Sequence, residues 1–301
     1  MARSGVALIF ILLAAATTVE AQDLEPRAYA NTPVGMNFLL LGYGYAHGNV
    51  VFDSPAPIQD ASATVHSALL GYARSLDIWG RSAKIDVVLP YAWLSGSATF
   101  AGQPQEREVN GLGDPRARFS MLLYGGPALS LEEFEDYQAD FIVGASLTVT
   151  APLGQYDQNK LLNIGTHRWS VKPEIGFSKT LGPVTLEVAP SVTFYTANHD
   201  FLGDKTLERD PLYAVQGHLI YRTRFGVWAS LDATYYGGGN VTIDGVRGER
   251  EDNVRLGGTV AIPINRYMSI KLFGSGGAYA RTGGNFTGGG IVYQLRWGGG
   301  L

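Results

Sequence analysis

Five histidines, His47, His66, His167, His199 and His218, are the side chains best suited to proton transfer near neutral pH. Hydrolysis would need one of them within hydrogen-bond reach of a nucleophile and of an orienting group. The sequence offers no such set. His66 is followed by Ser67, but neighbours on a strand face opposite ways. No His-x-Ser-Asn-Gly or Gly-x-Ser-x-Gly run occurs, and Ser275, between Gly274 and Gly276, reads as an ordinary strand serine. The chain has no cysteine, which removes disulfides, thiolate metal sites and thiol nucleophiles. Asn198 to Asp204 gathers oxygen donors without the spacing of a calcium-binding loop, and a solvated polar loop is the simpler reading. The expectation is no enzyme, no cofactor and no metal.

The chemistry on offer is electrostatic. Lys84, Arg116, Arg118, Arg168, Lys172, Arg255, Lys271 and Arg296, with Arg74 and Arg222, occupy the parity opposite to the apolar residues of their segments. Asp86, Glu174, Glu187, Asp232 and Asp140 share that parity. If the apolar parity faces lipid, these groups line an interior with an excess of bases. Two uses stay open. The charges pair across strands and fill a narrow barrel, or they edge a constricted pore that selects solutes. The aromatics Tyr72, Tyr124, Tyr195, Trp228, Tyr236 and Phe273 have the same parity and serve either as packing or as a path for flat apolar solutes.

The elements that must position these residues are strands. Ala83, Ile85, Val87, Leu89, Tyr91 and Trp93 alternate with polar or small residues, and 169–177 and 184–194 repeat the pattern. Weaker alternation runs through 115–124, 139–150, 213–222, 227–236, 254–263, 268–277 and 291–297, and less cleanly through 36–46 and 63–74. About twelve strands are expected, an even number, forming an all-β, transmembrane antiparallel barrel. Short connections at 75–82, 179–183, 223–226 and 264–267 alternate with long polar ones at 47–61, 96–112, 151–166, 197–211 and 238–252. An acidic stretch, Glu132, Glu133, Glu135 and Asp136, stands where a short turn belongs, so 125–138 reads as a periplasmic excursion with a helical turn. Aromatics cluster at both strand ends, as interface girdles require. The final strand ends on Tyr293, Leu295 and Trp297, an alternating C-terminal signal that a soluble sandwich would not need.

Arg3, the apolar run Val6 to Ala16 and Val19-Glu20-Ala21 read as a signal peptide cleaved near Ala21. The run is shorter than the roughly 20 residues that span a bilayer as a helix. Three parts are expected: a signal peptide at 1–21, an N-terminal periplasmic segment or partial plug at 22–33, and an outer-membrane barrel at 34–301. The formal net charge of −4, without a basic run, argues against nucleic acid. Outer-membrane lipid and the barrel-assembly machinery are the partners such a chain implies.

Several stretches carry a resemblance: LEPRAYANTPVGMNFLLLGYGY at 24–45, GLGDPRARFS at 111–120, GASLTVTAPLGQYD at 144–157 and KLLNIGTHRWSVKPEIGFSK at 160–179. DPLYAVQGHLIY at 210–221, WASLDATYYGGG at 228–239 and YQLRWGGGL at 293–301 continue it. Together they resemble the bacterial family of outer-membrane transporters labelled for the MetA (meta-cleavage) pathway of phenol degradation. The resemblance implies a barrel that passes small, often aromatic or weakly anionic, compounds. It supplies no catalytic residues. The alternative is a closed structural or surface-interaction barrel without a conducting pore. The detail at 24–33 exceeds what a free tail needs, which is the reason to expect a plug there.

Overall fold

The computed structural model describes residues 25–51, 58–100, 103–160, 162–281 and 283–301. The expected signal peptide and its cleavage site lie outside them. In chain order the elements are β1 (Met36–Val51), β2 (Ile58–Ile78), β3 (Arg81–Phe100), β4 (Gln103–Leu112), β5 (Arg116–Tyr124), α1 (Leu131–Glu135), β6 (Phe141–Thr150), β7 (Ser170–Leu181) and β8 (Val184–Tyr195). There follow β9 (Asn198–Phe201), β10 (Lys205–Arg209), β11 (Leu212–Arg222), β12 (Trp228–Gly238), β13 (Val241–Ile243), β14 (Val246–Arg247), β15 (Glu251–Pro263), β16 (Met268–Ala280) and β17 (Gly283–Gly298).

Antiparallel neighbours close the wall into a ring. β2 bonds both β1 and β3, and the sheet runs from β1 through β17, β16, β15, β12, β11, β8, β7, β6 and β5 back to β3. β4 and β5 are one wall strand interrupted at Gly113 to Pro115: β3 pairs with β4 through Tyr91–Phe100 and with β5 through Ala83–Val88. Counted so, the barrel has the twelve strands expected. Closure is what a membrane demands, because hydrocarbon offers no partner to an open strand edge. The last strand closes on the first, with Leu39 opposite Leu295 and Asn37 opposite Trp297.

Outward residues are apolar or aromatic and stay exposed, among them Leu41, Ile85, Phe119, Ile175, Leu231 and Ile291. Trp93, Trp169, Phe194, Tyr213 and Tyr235 ring one end, and Phe177, Tyr221, Phe225 and Trp297 ring the end that carries both termini of the barrel. The β2–β3 connection is a two-residue turn with Trp79 at φ 53 and Gly80 at φ 75. Positive φ at both positions matches the strand twist of a tight hairpin.

Four sequence expectations are corrected. The connection 96–112 is largely strand, the top of β3 and all of β4, which extend together with β2 beyond the shorter wall strands. Segments 197–211 and 238–252 contain a second, four-stranded sheet, β14-β13-β10-β9, around buried Phe201, Leu207, Val241 and Ile243. Tyr124 faces outward beside Phe141, because a bulge between Leu122 and Tyr124 inverts the parity there. Tyr72 and Arg74 also face outward: they pair with Leu39 and Asn37, while Ser75 next to them is buried toward the interior. A one-residue error of register turns over a whole strand, and these strands had the weakest alternation.

The acidic excursion does contain a helical turn. Ser130 and Glu133 form a reciprocal capping box at the start of α1. The Ser130 amide and hydroxyl hold the Glu133 carboxyl below its usual range.

Candidate functional site

Residues 25–35 occupy the interior rather than trailing from the barrel. At the terminal-bearing mouth the Ser75 hydroxyl donates to the Pro33 carbonyl (2.6 Å) and accepts from the Met36 amide (2.9 Å). The Val34 amide donates to Leu129 (2.9 Å) and the Asn31 side chain to Pro127 (3.0 Å), so the α1 excursion brackets the segment where it turns inward. Deeper in, the Lys84 ammonium donates to the Ala28 carbonyl (2.7 Å) and the Arg27 amide to Glu187 Oε2 (2.7 Å). The Arg27 guanidinium lies 5.5 Å from the Trp228 ring centroid. Glu25 reaches farthest, to Arg116 (3.2 Å) and Arg118.

Tyr29 is the anchor. Its ring is 3% exposed and packs with Leu122, Ile142 and Ala189. Its hydroxyl donates to Glu174 Oε1 (2.8 Å) and lies 3.1 Å from the Ser146 hydroxyl, while Arg118 stands 5.6 Å from its centroid. The slot for the ring is made by Gly144 and Gly176, paired across β6 and β7. A Cβ on Gly144 would lie 2.2 Å from the ring and one on Gly176 2.0 Å from it. Both glycines sit where a side chain would fill the slot.

The rest of the interior is two-sided. The wall of β5, β7, β8, β11, β12 and β15 is charged and polar. There His218 Nδ1 lies 2.8 Å from Asp232 Oδ1, and Ser230 and Thr259 donate to Oδ2 of the same carboxylate. Imidazole and hydroxyls thus meet different oxygens of Asp232, so this cluster provides no serine–histidine relay. The wall of β16, β17, β1 and β2 carries mainly small and aliphatic groups, with Lys271 on β16 and, at the rim, Arg296 on β17 as charged exceptions. Gly42, Gly44, Ala46 and Gly48 follow one another at the inward positions of β1, and Leu69, Val292 and Leu40 close over Gly42 and Gly71. Phe273 packs against Gly290 on the same side.

The other mouth is narrowed by the 151–169 connection, which folds inward. Leu162 and Ile164 pack on Val65, Ala92, Leu94 and Val109 of the projecting strands. Asp114 staples it: one carboxylate oxygen accepts from the Gly154 amide (2.8 Å), the other from the Thr166 amide and hydroxyl (both 2.7 Å). Asn163 ties Asp157 to Lys160 within the loop. Charge-assisted bonds of this kind contribute about 1.5–3 kcal/mol each. Asp114→Ala is therefore expected to make 151–168 a new cleavage site in limited proteolysis of a barrel that remains folded; a cleavage map identical to wild type would count against the staple.

Of the residues singled out from sequence, Lys84, Asp86, Arg116, Arg118, Arg168, Lys172, Glu174, Glu187, Asp232, Arg255 and Lys271 stand on the interior side of the wall. Arg118, Glu174, Glu187 and Lys172 converge with Tyr29 and His218 around one small cleft. Arg168 lies higher, 4.7 Å from the Tyr195 centroid, with Arg209 4.8 Å from the same ring. Arg296 lies at the rim, its Nε donating to the Arg266 carbonyl (2.6 Å) in the β15–β16 turn. Asp140 is also at the rim, bound to Lys179 (2.5 Å). The Asn198–Asp204 stretch forms β9 and its turn, with Asp200 3.0 Å from His167. Alternation missed Glu25, Arg27 and Tyr29, which lie in no strand. The usable signal was a pair of mid-strand glycines at inward positions of neighbouring strands.

A family model described as "Putative MetA-pathway of phenol degradation" matches residues 46–295. The chain belongs to this family. Among solved structures, an outer membrane channel from Pseudomonas putida F1 aligns with TM-score 0.78 and 20% identity, over 91% of this chain and 100% of that one. The β domain of the Bordetella autotransporter BrkA aligns with TM-score 0.51 and 10% identity over 87% of this chain and 100% of that one. No curated protein sequence shows significant similarity. At these identities the structural matches speak for the fold: this member of the MetA-pathway family is a barrel of the outer-membrane class.

Proposed function

We propose that this barrel passes small solutes across the outer membrane, favouring aromatic and weakly anionic compounds, and that residues 22–33 act as a partial plug. The observation that carries the reading is the two-sided interior. A mainly small and apolar wall faces a basic one, and the N-terminal segment, tied at Pro33 to Ser75 of β2, makes its deeper bonds from Glu25, Arg27, Ala28 and Tyr29 to β3, β5, β7 and β8. A flat aromatic with an anionic edge matches both walls at once: the ring lies along Gly42, Gly44 and Leu69, and the charge faces Arg118 and Lys172. Family membership and the likeness to a channel of the same fold agree with passage. The Bordetella and Pseudomonas names describe those proteins, not this cargo.

The test is single-channel recording of the refolded mature chain in a planar bilayer across a KCl gradient. The expected result is discrete conductance with an anion-favouring reversal potential, moved toward cations by Arg118→Ala, together with benzoate flux above that of an uncharged sugar of equal size. The closed-barrel alternative draws support from the buried Arg118–Glu174 pair (3.4 Å). It predicts silence from both the full mature chain and a chain lacking residues 24–33.

A further inference from the structure

The rim that carries the barrel's termini presents three exposed arginines, Arg74, Arg224 and Arg266. Short turns place it on the periplasmic side. The sheet order sets the β11–β12 turn, the β15–β16 turn, the end of β17 and the end of β2 side by side along one arc. On that arc the Arg224 guanidinium lies 5.1 Å from the centroid of Phe225, whose ring is 76% exposed. Arg266 lies 4.9 Å from the Tyr267 centroid. Arg74 is exposed on the outer face in the cross-strand row Arg74–Asn37–Trp297, one step from Tyr72, whose ring is 6.4 Å from Trp297. Arg74, Arg224 and Arg266 have no carboxylate partner among the described residues. Lys179, by contrast, is neutralised by Asp140 on the β6–β7 side of the rim.

Exposed aromatic rings on a membrane barrel lie at headgroup depth, and long basic side chains beside them extend toward the phosphates. A planar guanidinium binds phosphate oxygens two at a time. The Arg266 turn is held in place by the Arg296 bond to its carbonyl and by Asn265, which accepts from the Tyr267 (2.8 Å) and Met268 (2.9 Å) amides. Two guanidiniums on adjacent turns, each over an interfacial ring, and a third on the outer face of β2 beside the Tyr72–Trp297 pair are a surface for anions fixed at that depth.

We propose that Arg74, Arg224 and Arg266 form a binding arc for the phosphate groups of anionic phospholipids in the periplasmic leaflet. A basic residue at such a surface is worth about fivefold in lipid affinity. Native mass spectrometry of the refolded mature chain, titrated separately with phosphatidylglycerol and phosphatidylcholine of the same acyl chains, reads it directly. The wild type should retain phosphatidylglycerol over phosphatidylcholine, and Arg74→Gln, Arg224→Gln and Arg266→Gln combined should abolish the preference. Arg224→Gln alone, on an exposed turn, should reduce it about fivefold even if the triple variant folds poorly. Lys179→Gln should leave it intact. Equal retention of the two lipids by wild type, an equal loss with Lys179→Gln, or displacement of the lipid by inorganic phosphate would each overturn the proposal.

Discussion

A mature chain lacking residues 24–33 should conduct severalfold more than the full mature chain while remaining a folded, bilayer-inserted barrel. The deletion removes Glu25, Arg27 and Tyr29 from the space between Arg118, Glu187 and the β6–β7 slot. Breaking a buried ion pair inside a dry protein costs about 3–5 kcal/mol because one charge is left behind. Here the vacated volume opens to solvent, so water replaces the lost partners and the penalty on the barrel is small. Wall hydrogen bonds do not depend on the segment: every strand of the closed wall is paired on both sides without it. Equal single-channel conductance for the two chains, both verified as folded by heat-modifiable migration, would end the plug proposal. Silence from both would favour the closed barrel.

The second large effect is expected from one methyl group. Gly176→Ala places a Cβ about 2.0 Å from the Tyr29 ring carbons, and both the ring and the β7 backbone are held firmly. The ring must leave. Its burial contributes about 1.5–3 kcal/mol, and the hydrogen bond to Glu174 is lost with it. Gly176→Ala should therefore reproduce the conductance of Tyr29→Ala, and the double variant should add little, because both changes break one contact. Gly217→Ala is the control, since its Cβ would meet nothing nearer than the Glu187 carbonyl at 4.0 Å. If Gly176→Ala conducts like wild type while Tyr29→Ala does not, the slot geometry is wrong.

The sequence by itself determined the class of this protein. Alternation with period two is a local property, visible wherever one strand face meets lipid and the other does not, and Ala83 to Trp93 shows it without any knowledge of neighbours. It placed Lys84, Asp86, Arg118, Glu174, Glu187 and Asp232 inward and set the strand count. The segments resembling the MetA-pathway family were legible in the same way, as runs of residues. Tertiary structure decided what alternation cannot carry. Tyr124, Tyr72 and Arg74 turned outward through a bulge and a register that only pairing with β6 and β1 fixes. Polar connections became the top of β3, β4 and a small external sheet, since strand pairing can recruit polar segments that show no period. The occupied interior was decided most completely by closure. Arg27 and Glu187 are 160 residues apart, and Tyr29 and Glu174 are 145 apart. Such contacts exist only once the last strand has paired with the first and the ring has brought β5, β6, β7 and β8 around the N-terminal segment.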